Sequence, residues 1–275
     1  VVNTLALARY YAAVRDWILP HVKDRPLTLV RCPEGYQKDC FYQKHANDQM
    51  PDVIGRVEVP ADQGSACYTI AHSLEALLGL VQIGVLEIHT WGAKRDKLDR
   101  PDRMILDLDP GPAVDWSSVI EGAQLLRTLL RELNLTSFVK TTGGKGLHVV
   151  VPLQRVHTWD EVKTFSKSLA EHLERLIPER FVATMSKAKR QGKIYVDYLR
   201  NAQGATAVAA YSTRARPGAP VSVPLAWDEL SIDLRSDSFT LVNLPDRLRR
   251  LSKDPWAEYG ATKQRLTKTM RLRLT

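Results

Sequence analysis

Several features that would place this chain in a specialised class of protein are missing from its sequence. No run of about 18 or more apolar residues occurs, and the N-terminus lacks the basic-then-apolar order of a signal peptide. Neither an internal repeat nor a long linker interrupts the 275 residues. These absences predict a globular, cytoplasmic protein with no membrane partner.

Cysteine is also scarce. Cys32, Cys40 and Cys67 are an odd number, and no two of them form a C-x-x-C pair. This pattern argues against a disulfide framework and against a structural zinc site of the usual spacing, so reduced thiols are expected. A metal held by Cys32, Cys40 and His45 is the alternative.

The glycines do not form a P-loop. The stretch Thr142–Gly146 lacks the Walker spacing and precedes β-branched residues, so Gly143-Gly144 predicts a hairpin turn. Around that turn, Thr142, Lys145 and His148 supply a hydroxyl, an ammonium and an imidazole. Such a group can hold a triphosphate without a P-loop, whereas a plain hairpin is the structural alternative.

Positive charge is abundant. The net charge of +8 favours a polyanionic partner, although a merely basic enzyme would have the same balance. Between Lys38 and His45, the rings of Phe41 and Tyr42 alternate with cations that include Lys44. This mixture is typical of a surface that stacks bases and contacts phosphates, or of a partly buried strand with a solvated face.

A short acidic motif ends an apolar stretch. Met104–Leu106 predicts a buried strand that stops at the turn Pro110–Pro112. Because side chains alternate along a strand, Asp107 and Asp109 are expected on one face. Two carboxylates there repel each other unless a cation lies between them; an ordinary solvated strand end is the alternative.

A third acid lies inside a later apolar stretch. Asp197 falls within the predicted strand 194–199, where a lone carboxylate needs an ionic partner. That partner is either Arg200 or divalent ions shared with Asp107 and Asp109. Three carboxylates suit Mg²⁺ or Mn²⁺, and two ions would serve an in-line phosphoryl transfer. Three arginines lie near this strand in sequence and could neutralise a bound triphosphate, namely Arg190, Arg200 and Arg214.

The periodicity predicts an α/β (α+β) fold. Residues 5–22 show helical spacing, and Pro20 predicts where this helix ends. Further predicted helices cover 74–83, with Gly84 as the stop, a segment that Asp115 caps, a segment after the Thr158–Glu161 capping box, and the chain from Leu244 onward. Predicted strands cover 27–30, 53–59, 67–70, 86–91, 104–109, 137–140, 149–151 and 194–199. We expect one domain over 1–275, with an N-terminal α/β lobe over 1–100 and a catalytic lobe with basic C-terminal helices over 101–275.

Three motifs together resemble a known family. Asp107-Leu108-Asp109, Thr142-Gly143-Gly144-Lys145-Gly146-Leu147-His148 and Val196–Asn201 follow, in order, the motifs of the archaeo-eukaryotic primase superfamily. The sequence is most similar to the polymerase domain of bacterial ligase D, and Arg31–Gly35, Gln43–His45 and the stretch from Tyr211 to Ser222 extend the similarity. The family usually has Ser where Thr142 stands.

The resemblance implies a primase-polymerase fold with an RRM-like mixed sheet flanked by helices. It implies a nucleotidyltransferase that adds ribo- or deoxyribonucleotides to 3′ ends at DNA double-strand breaks, in the bacterial nucleoid beside Ku and a ligase domain. Asp107, Asp109 and Asp197 would be the catalytic metal ligands for two Mn²⁺ or Mg²⁺ ions. The expected nucleotide-binding residues are Phe41, His89, Thr142, Gly143, Lys145, His148, Arg190, Arg200 and Arg214, and the expected DNA-binding residues are Arg31, Lys38 and Lys44.

Two other functions are compatible with parts of the pattern. A metal-dependent nuclease or phosphoesterase would also use clustered acids but would leave Lys145 and Arg214 idle. A non-catalytic nucleic-acid-binding module would use the basic surface alone. For His89, a core histidine with a satisfied ring is the alternative to a role near the sugar.

Overall fold

A computed structural model describes residues 3–60 and 64–274. Its helices are α1 (Thr4–Val22), α2 (Leu74–Gln82), α3 (Trp116–Glu132), α4 (Trp159–Leu176), α5 (Leu244–Arg250) and α6 (Lys268–Leu272). Its strands are β1 (Leu27–Arg31), β2 (Phe41–Gln43), β3 (Gly55–Pro60), β4 (Ser65–Ile70), β5 (Val85–Trp91), β6 (Arg103–Pro110), β7 (Phe138–Thr141), β8 (Leu147–Pro152), β9 (Phe181–Val182), β10 (Ile194–Asp197), β11 (Thr206–Val208) and β12 (Pro224–Leu225). Among these helices, none combines the length and the apolar character needed to cross a membrane.

The first compact unit is built on an antiparallel sheet. It comprises Val1–Leu98, Thr206–Val223 and Asp237–Ser252, and its strand order is β11-β5-β1-β4-β3, with β2 also pairing with β1. The side chains of β1 are almost fully buried, and α1 and α2 contact each other. A short strand from late in the chain therefore completes a sheet that begins near the N-terminus.

The second compact unit contains a mixed sheet. It comprises Asp99–Ala205, Pro224–Ser236 and Lys253–Thr275, and its strand order is β12-β7-β8-β6-β10-β9. All pairs are antiparallel except β9 with β10. The fully buried side chains of Met104, Leu106 and Leu108 form one face of β6 and leave the alternate residues to the other face.

The expected α/β class with a mixed sheet and flanking helices is confirmed. The first unit ends its first segment at Leu98, close to the limit of 100 expected for the N-terminal lobe, but it also takes in 206–223 and 237–252. Residues 1, 2, 61–63 and 275 of the expected single domain lie outside the described residues.

Local capping signals are confirmed. The Asp115 side chain accepts a hydrogen bond from the backbone N–H of Ser118 and caps α3. Thr158 and Glu161 form the reciprocal capping box at the start of α4. Gly84 ends the α2 region with φ +80°, a conformation that glycine adopts without strain.

Three predicted boundaries are wrong. Helix α1 continues past Pro20 to Val22, whose side chain is fully buried, because a proline in the last turn removes only one helical hydrogen bond. Strand β10 ends at Asp197 rather than at 199, because the Asp197 carboxylate accepts the backbone N–H of Leu199 and turns the chain. The segment 251–267 is irregular rather than helical, and the Gln264 side chain bonds there to backbone groups of Thr136 and Pro152.

The expectation of reduced thiols is also wrong. Cys32 and Cys40 form a disulfide, and Cys67 is the free cysteine. The reason is the hairpin: β1 pairs with β2 up to Arg31 opposite Phe41, so the next residue on each side is a cysteine facing the other. The alternative of a metal held by both sulfurs and His45 is therefore excluded as well.

Candidate active site

The three acids lie on one face of the second unit's sheet. Strand β6 pairs with β10 in antiparallel register, with Asp107 opposite Asp197 and Asp109 opposite Tyr195. Residues directly opposite in such a pair have Cβ atoms about 4.5–5.5 Å apart, and diagonal neighbours lie about 7–8 Å apart. The register therefore brings all three carboxylates of Asp107, Asp109 and Asp197 to one place, although 90 residues separate the first from the last in the sequence.

Asp107 is held by a buried histidine. The Nε2 of His148 lies 3.4 Å from Oδ2 of Asp107. Burial and the nearby charge of Lys140 lower the pKa of His148 to about 4, so the imidazole is neutral near pH 7. Burial alone would raise the pKa of Asp107, but His148, Arg200 and Lys140 lower it to about 2. Asp107 is therefore ionised, and the ring nitrogen donates to it.

The other two acids are crowded by like charges. Burial and the negative charges of Asp107 and Asp197 raise the pKa of Asp109, and the positive charge of Arg190 offsets only part of this rise. Burial and the negative charge of Asp107 raise the pKa of Asp197, and the positive charge of Arg200 offsets only part of this rise. Such shifts mean that the ionised forms are destabilised where they lie. The cluster would therefore gain from additional positive charge.

Two arginines provide part of that charge. Arg200 lies between two acids, 3.5 Å from Asp107 and 3.2 Å from Asp197. Arg190 lies 3.4 Å from Asp109, with its guanidinium 3.8 Å from the centre of the Tyr195 ring. Both arginines, expected on the triphosphate, are thus within reach of the acids.

A side-chain amide fixes the strand that carries two of the acids. Asn201 is buried, and its side chain bonds to both the N–H and the carbonyl of Ile105 on β6, at 2.8 Å each. The same amide donates to the Ser166 hydroxyl and to the Tyr198 carbonyl. Asn201 thereby locks the turn after Asp197 to the strand before Asp107.

The glycine-rich stretch is a hairpin beside the acids. Gly143 has φ +66°, and Gly146 lies so close to β6 that a Cβ there would be 2.1 Å from the Leu108 carbonyl oxygen. The Thr142 hydroxyl accepts the N–H groups of Gly144 and Gly146 and contacts the Ser236 hydroxyl at 3.2 Å. Thr142, expected on the triphosphate, is therefore used here to shape the loop.

Lys145 is the exposed cation of this hairpin. Its positive charge acts to lower the pKa of Asp109, against the larger effects that raise it. Lys145 is therefore close enough to the acids to interact with their charge. The predicted second-unit site residues thus lie around one face of the sheet, as the hairpin and strand patterns indicate.

The remaining nucleotide-binding candidates belong to the first unit. On β5, Nε2 of His89 lies 2.8 Å from the buried Glu87 carboxylate, and Nε of Arg214 lies 3.0 Å from it. The N–H of Ala215 donates to the same carboxylate at 2.9 Å. Burial alone would raise the pKa of Glu87, but the partners His89, Arg214 and Ala215 lower it to about 2. Glu87 therefore orients both candidates.

The β1–β2 hairpin carries the candidates for base stacking and DNA contact. Phe41 is 46% exposed, and the Arg31 guanidinium lies 5.4 Å from its ring centre. Arg31 also donates to the Ile83 carbonyl and to Gln43, so its orientation is fixed. Lys38 and Lys44 are exposed on the same hairpin and its flanks.

The donor chemistry fits a divalent cation, although the acids do not form a closed cage. Within residues 3–60 and 64–274, no three His, Cys, Asp or Glu side chains have the geometry of a preformed metal site. Asp107, Asp109 and Asp197 nevertheless offer hard oxygen donors whose mutual repulsion a cation would relieve. These residues are compatible with the ions that the sequence pattern implies.

Three contributors were missed in the sequence. Asn201, Ser236 and the ion pair of Glu87 with Arg214 act across 90 or more residues of chain. Glu87 carried a weak signal, because strand alternation places it beside His89. Asn201 lies in the third motif and Arg214 is a nucleotide-binding candidate, but their partners are set by tertiary contacts, and Ser236 carries no local signal.

Comparison with known proteins gives one family. The family model described as "LigD, primase-polymerase domain" matches residues 5–256. The multifunctional non-homologous end joining protein LigD of Pseudomonas aeruginosa is 48% identical over 273 residues, which is 99% of this chain and 32% of that protein. The bifunctional LigD of Bacillus subtilis is 31% identical over 88% of this chain and 39% of its own length.

The fold is similar to a solved domain. The polymerase domain from Mycobacterium tuberculosis ligase D, in complex with DNA, matches with a TM-score of 0.84 and 30% identity, over 90% of this chain and 89% of that one. The chain spans about a third of the length of the curated relatives it matches. The chain belongs to the LigD primase-polymerase domain family.

Proposed function

We propose that this chain is a primase-type nucleotidyltransferase that extends 3′ ends at DNA double-strand breaks in non-homologous end joining. The observation that carries the proposal is the register that sets Asp197 opposite Asp107, with Asp109 on the same face. The names of the relatives support end joining, and the solved polymerase domain bound to DNA supports a DNA substrate. Ribo- and deoxyribonucleoside triphosphates are the proposed second substrate.

Asp107, Asp109 and Asp197 are the proposed ligands of two Mn²⁺ or Mg²⁺ ions. When bound, such ions stabilise the attacking and leaving oxygens of an in-line phosphoryl displacement. His148 keeps Asp107 ionised and oriented through its Nε2 contact. Asn201 holds the two strands in the register that this ligand set needs.

The cations around the acids are the proposed triphosphate contacts. Lys145 extends from the hairpin into solvent, and Arg190 and Arg200 can exchange their acid partners for phosphate oxygens. Guanidinium groups suit this task because they bind phosphate bidentately. Thr142 and Gly143 would act by presenting the hairpin's backbone, since the Thr142 hydroxyl is used within the loop.

Residues of the first unit are the proposed contacts to base, sugar and DNA. Phe41 offers an exposed ring for stacking, and Lys38 and Lys44 offer exposed charges for phosphates. His89 and Arg214, both oriented by Glu87, are proposed to contact the nucleotide. Ku and a ligase domain are the proposed partners in the cell.

Primer extension tests the proposal. Wild type, Asp107→Asn and the control Asp160→Asn would be incubated with Mn²⁺, a nucleoside triphosphate and a primer-template. Asp160 is an exposed acid in the first turn of α4. We expect extension by wild type and Asp160→Asn and none by Asp107→Asn. Normal extension by Asp107→Asn would refute the assignment, and DNA cleavage without extension would favour a nuclease.

A further inference from the structure

A cleft opens on the second unit, away from the three acids. Its volume is about 830 Å³, and it lies between the later half of α3, the turn before β7, the turn after β12 and the segment around Pro255. Ser137, which immediately precedes β7, lines it. Lys140 pairs with His148, which in turn pairs with Asp107. The three steps along the strand from Ser137 to Lys140 span about 10 Å, so this cleft lies at the opposite end of the sheet.

Two cations line the cleft from one helix face. Arg127 and Arg131 are four residues apart on α3 and therefore project side by side. Within the part of the chain that the structure describes, neither guanidinium makes a hydrogen bond or an ion pair. Burial and the charge of Arg131 lower the pKa of Arg127. This pair of like charges would be stabilised by an anion.

The carboxylates of the lining leave that charge partly unbalanced. Asp228 is close enough to Arg127 to favour its charged form, but Glu258 is paired with Lys253 at 3.3 Å. Among the described residues, Arg131 forms no ion pair with either acid of the cleft. The cleft thus retains positive charge on the α3 side.

An indole ring completes the arrangement. The Arg127 guanidinium lies 4.9 Å from the centre of the Trp227 ring, and this stacking leaves its in-plane N–H groups available. Two hydrogen bonds fix Trp227. Its Nε1 donates to the Ser137 carbonyl at 2.8 Å, and its backbone carbonyl accepts the side-chain amide of Gln124 at 3.4 Å. The buried Ser137 hydroxyl has no hydrogen-bond partner within the described residues.

We infer that this cleft binds a nucleotide unit, with its phosphate on Arg127 and Arg131 and its base stacked on the Arg127–Trp227 pair. Nucleic-acid bases stack both on aromatic rings and on guanidinium planes, and guanidinium groups bind phosphate bidentately. The unit belongs either to single-stranded nucleic acid or to a free nucleotide. This inference goes beyond the proposed polymerase activity and needs none of the three acids.

Binding of a fluorescein-labelled oligo-dT, followed by anisotropy over a range of salt concentrations, tests the inference. Arg127→Ala/Arg131→Ala is compared with wild type and with Lys163→Ala/Lys167→Ala, which removes the same charge from α4 of the same unit. We expect the arginine variant to bind about tenfold more weakly. Its log–log salt slope should fall by about 0.7, since the two arginines hold one phosphate and each single-strand phosphate contact contributes about 0.7. The lysine control should retain both values.

Calorimetry with dTMP distinguishes the two possible sources of the nucleotide unit, a nucleic-acid strand and a free nucleotide. Weakened oligo-dT binding without measurable dTMP binding supports a strand, and dTMP binding that the arginine variant loses supports a free nucleotide. Equal binding of both probes by the arginine variant and the lysine control overturns the inference.

A second measurement does not depend on the variant folding. A bromodeoxyuridine-containing oligonucleotide is crosslinked to the wild-type protein by ultraviolet light, and the adducts are mapped by mass spectrometry. An adduct on the peptide containing Trp227 supports the cleft, whereas adducts confined to other peptides, both with the oligonucleotide and with bromodeoxyuridine monophosphate, overturn it. Asp107→Asn should give the same adduct, so failure of the polymerase proposal and failure of this inference are distinguishable.

Discussion

Each unit contains a cluster of acidic, histidine and arginine side chains, and the two clusters differ in how their charge is balanced. In the first unit the single carboxylate of Glu87 is satisfied by His89, Arg214 and a backbone N–H, and its pKa falls to about 2. In the second unit three carboxylates share two arginines, and the pKa values of Asp109 and Asp197 rise. The charge of the first cluster is balanced by its own members, whereas the second cluster can accept a further cation.

The largest expected effect is on chemistry in the second unit. Asp197→Asn should reduce primer extension by at least about 10²–10³-fold, as loss of a charge-stabilising group does in enzymes. The free energy of unfolding should change by less than about 1 kcal/mol, since the substitution relieves repulsion with Asp107. Extension assays and chemical denaturation measure the two quantities. Equal loss of both quantities, or a matching loss of extension in the exposed-acid control Asp160→Asn, would remove the contrast.

The converse holds for the first unit. Glu87→Gln should lower the free energy of unfolding by about 3 kcal/mol, because it removes the charge of a buried carboxylate that pairs with His89 and Arg214. The control Glu58→Gln, an exposed acid on β3 of the same unit, should stay within about 0.5 kcal/mol of wild type. Denaturation in urea measures both. A small change in Glu87→Gln would mean that the first cluster does not balance its own charge.

Acid should disrupt the first cluster. The pKa of Glu87 is depressed from 4.5 in the unfolded chain to about 2 in the folded one, so its stabilisation is complete above pH 4.5 and lost between about 4.5 and 2. A shift of this size corresponds to roughly 3 kcal/mol. The stability difference between wild type and Glu87→Gln should therefore shrink as urea denaturation is repeated from pH 5 to pH 3. A difference independent of pH would contradict the assignment.

The smallest expected effect concerns the support of the second cluster. Asn201→Ala leaves two backbone groups of Ile105 without their partner and should cost about 2–3 kcal/mol of stability. Extension should also weaken, since the register between Asp107 and Asp197 is no longer fixed. Ser212→Ala is the counterpart in the first unit, where the Ser212 hydroxyl accepts the N–H of Ile88. A loss of stability in both variants with full extension by Asn201→Ala would show that the clamp has no role in the site.

Strand alternation and turn chemistry predict much of the second unit. They place Asp107 and Asp109 on one face and Gly143-Gly144 in a hairpin, because both features depend on residues close together in sequence. The pairing of Asp197 with Asp107 is different, since register between distant strands leaves no local signal. From the sequence, the proximity of Asp197 to Asp107 follows only from the hypothesis that they share divalent ions and from the resemblance to the family motifs.

The first unit was less predictable for the same reason. The strand 206–208 joins a sheet begun at residue 27, and nothing in its own three residues indicates that partner. The disulfide was missed because cysteine counting ignores the hairpin that brings Cys32 and Cys40 together. Non-local geometry, rather than weak propensity, accounts for these failures.

Asn201 has a consequence for where the sheet can stop. Strand β10 ends at Asp197, and the next two positions, which would have paired with β6, turn away. The Asn201 amide takes the place of the missing strand backbone and satisfies both polar groups of Ile105. The ladder can thus terminate in mid-sheet while the main chain of Ile105 stays paired, so the chain is free to leave the sheet directly after the terminal carboxylate without the loss of those two hydrogen bonds.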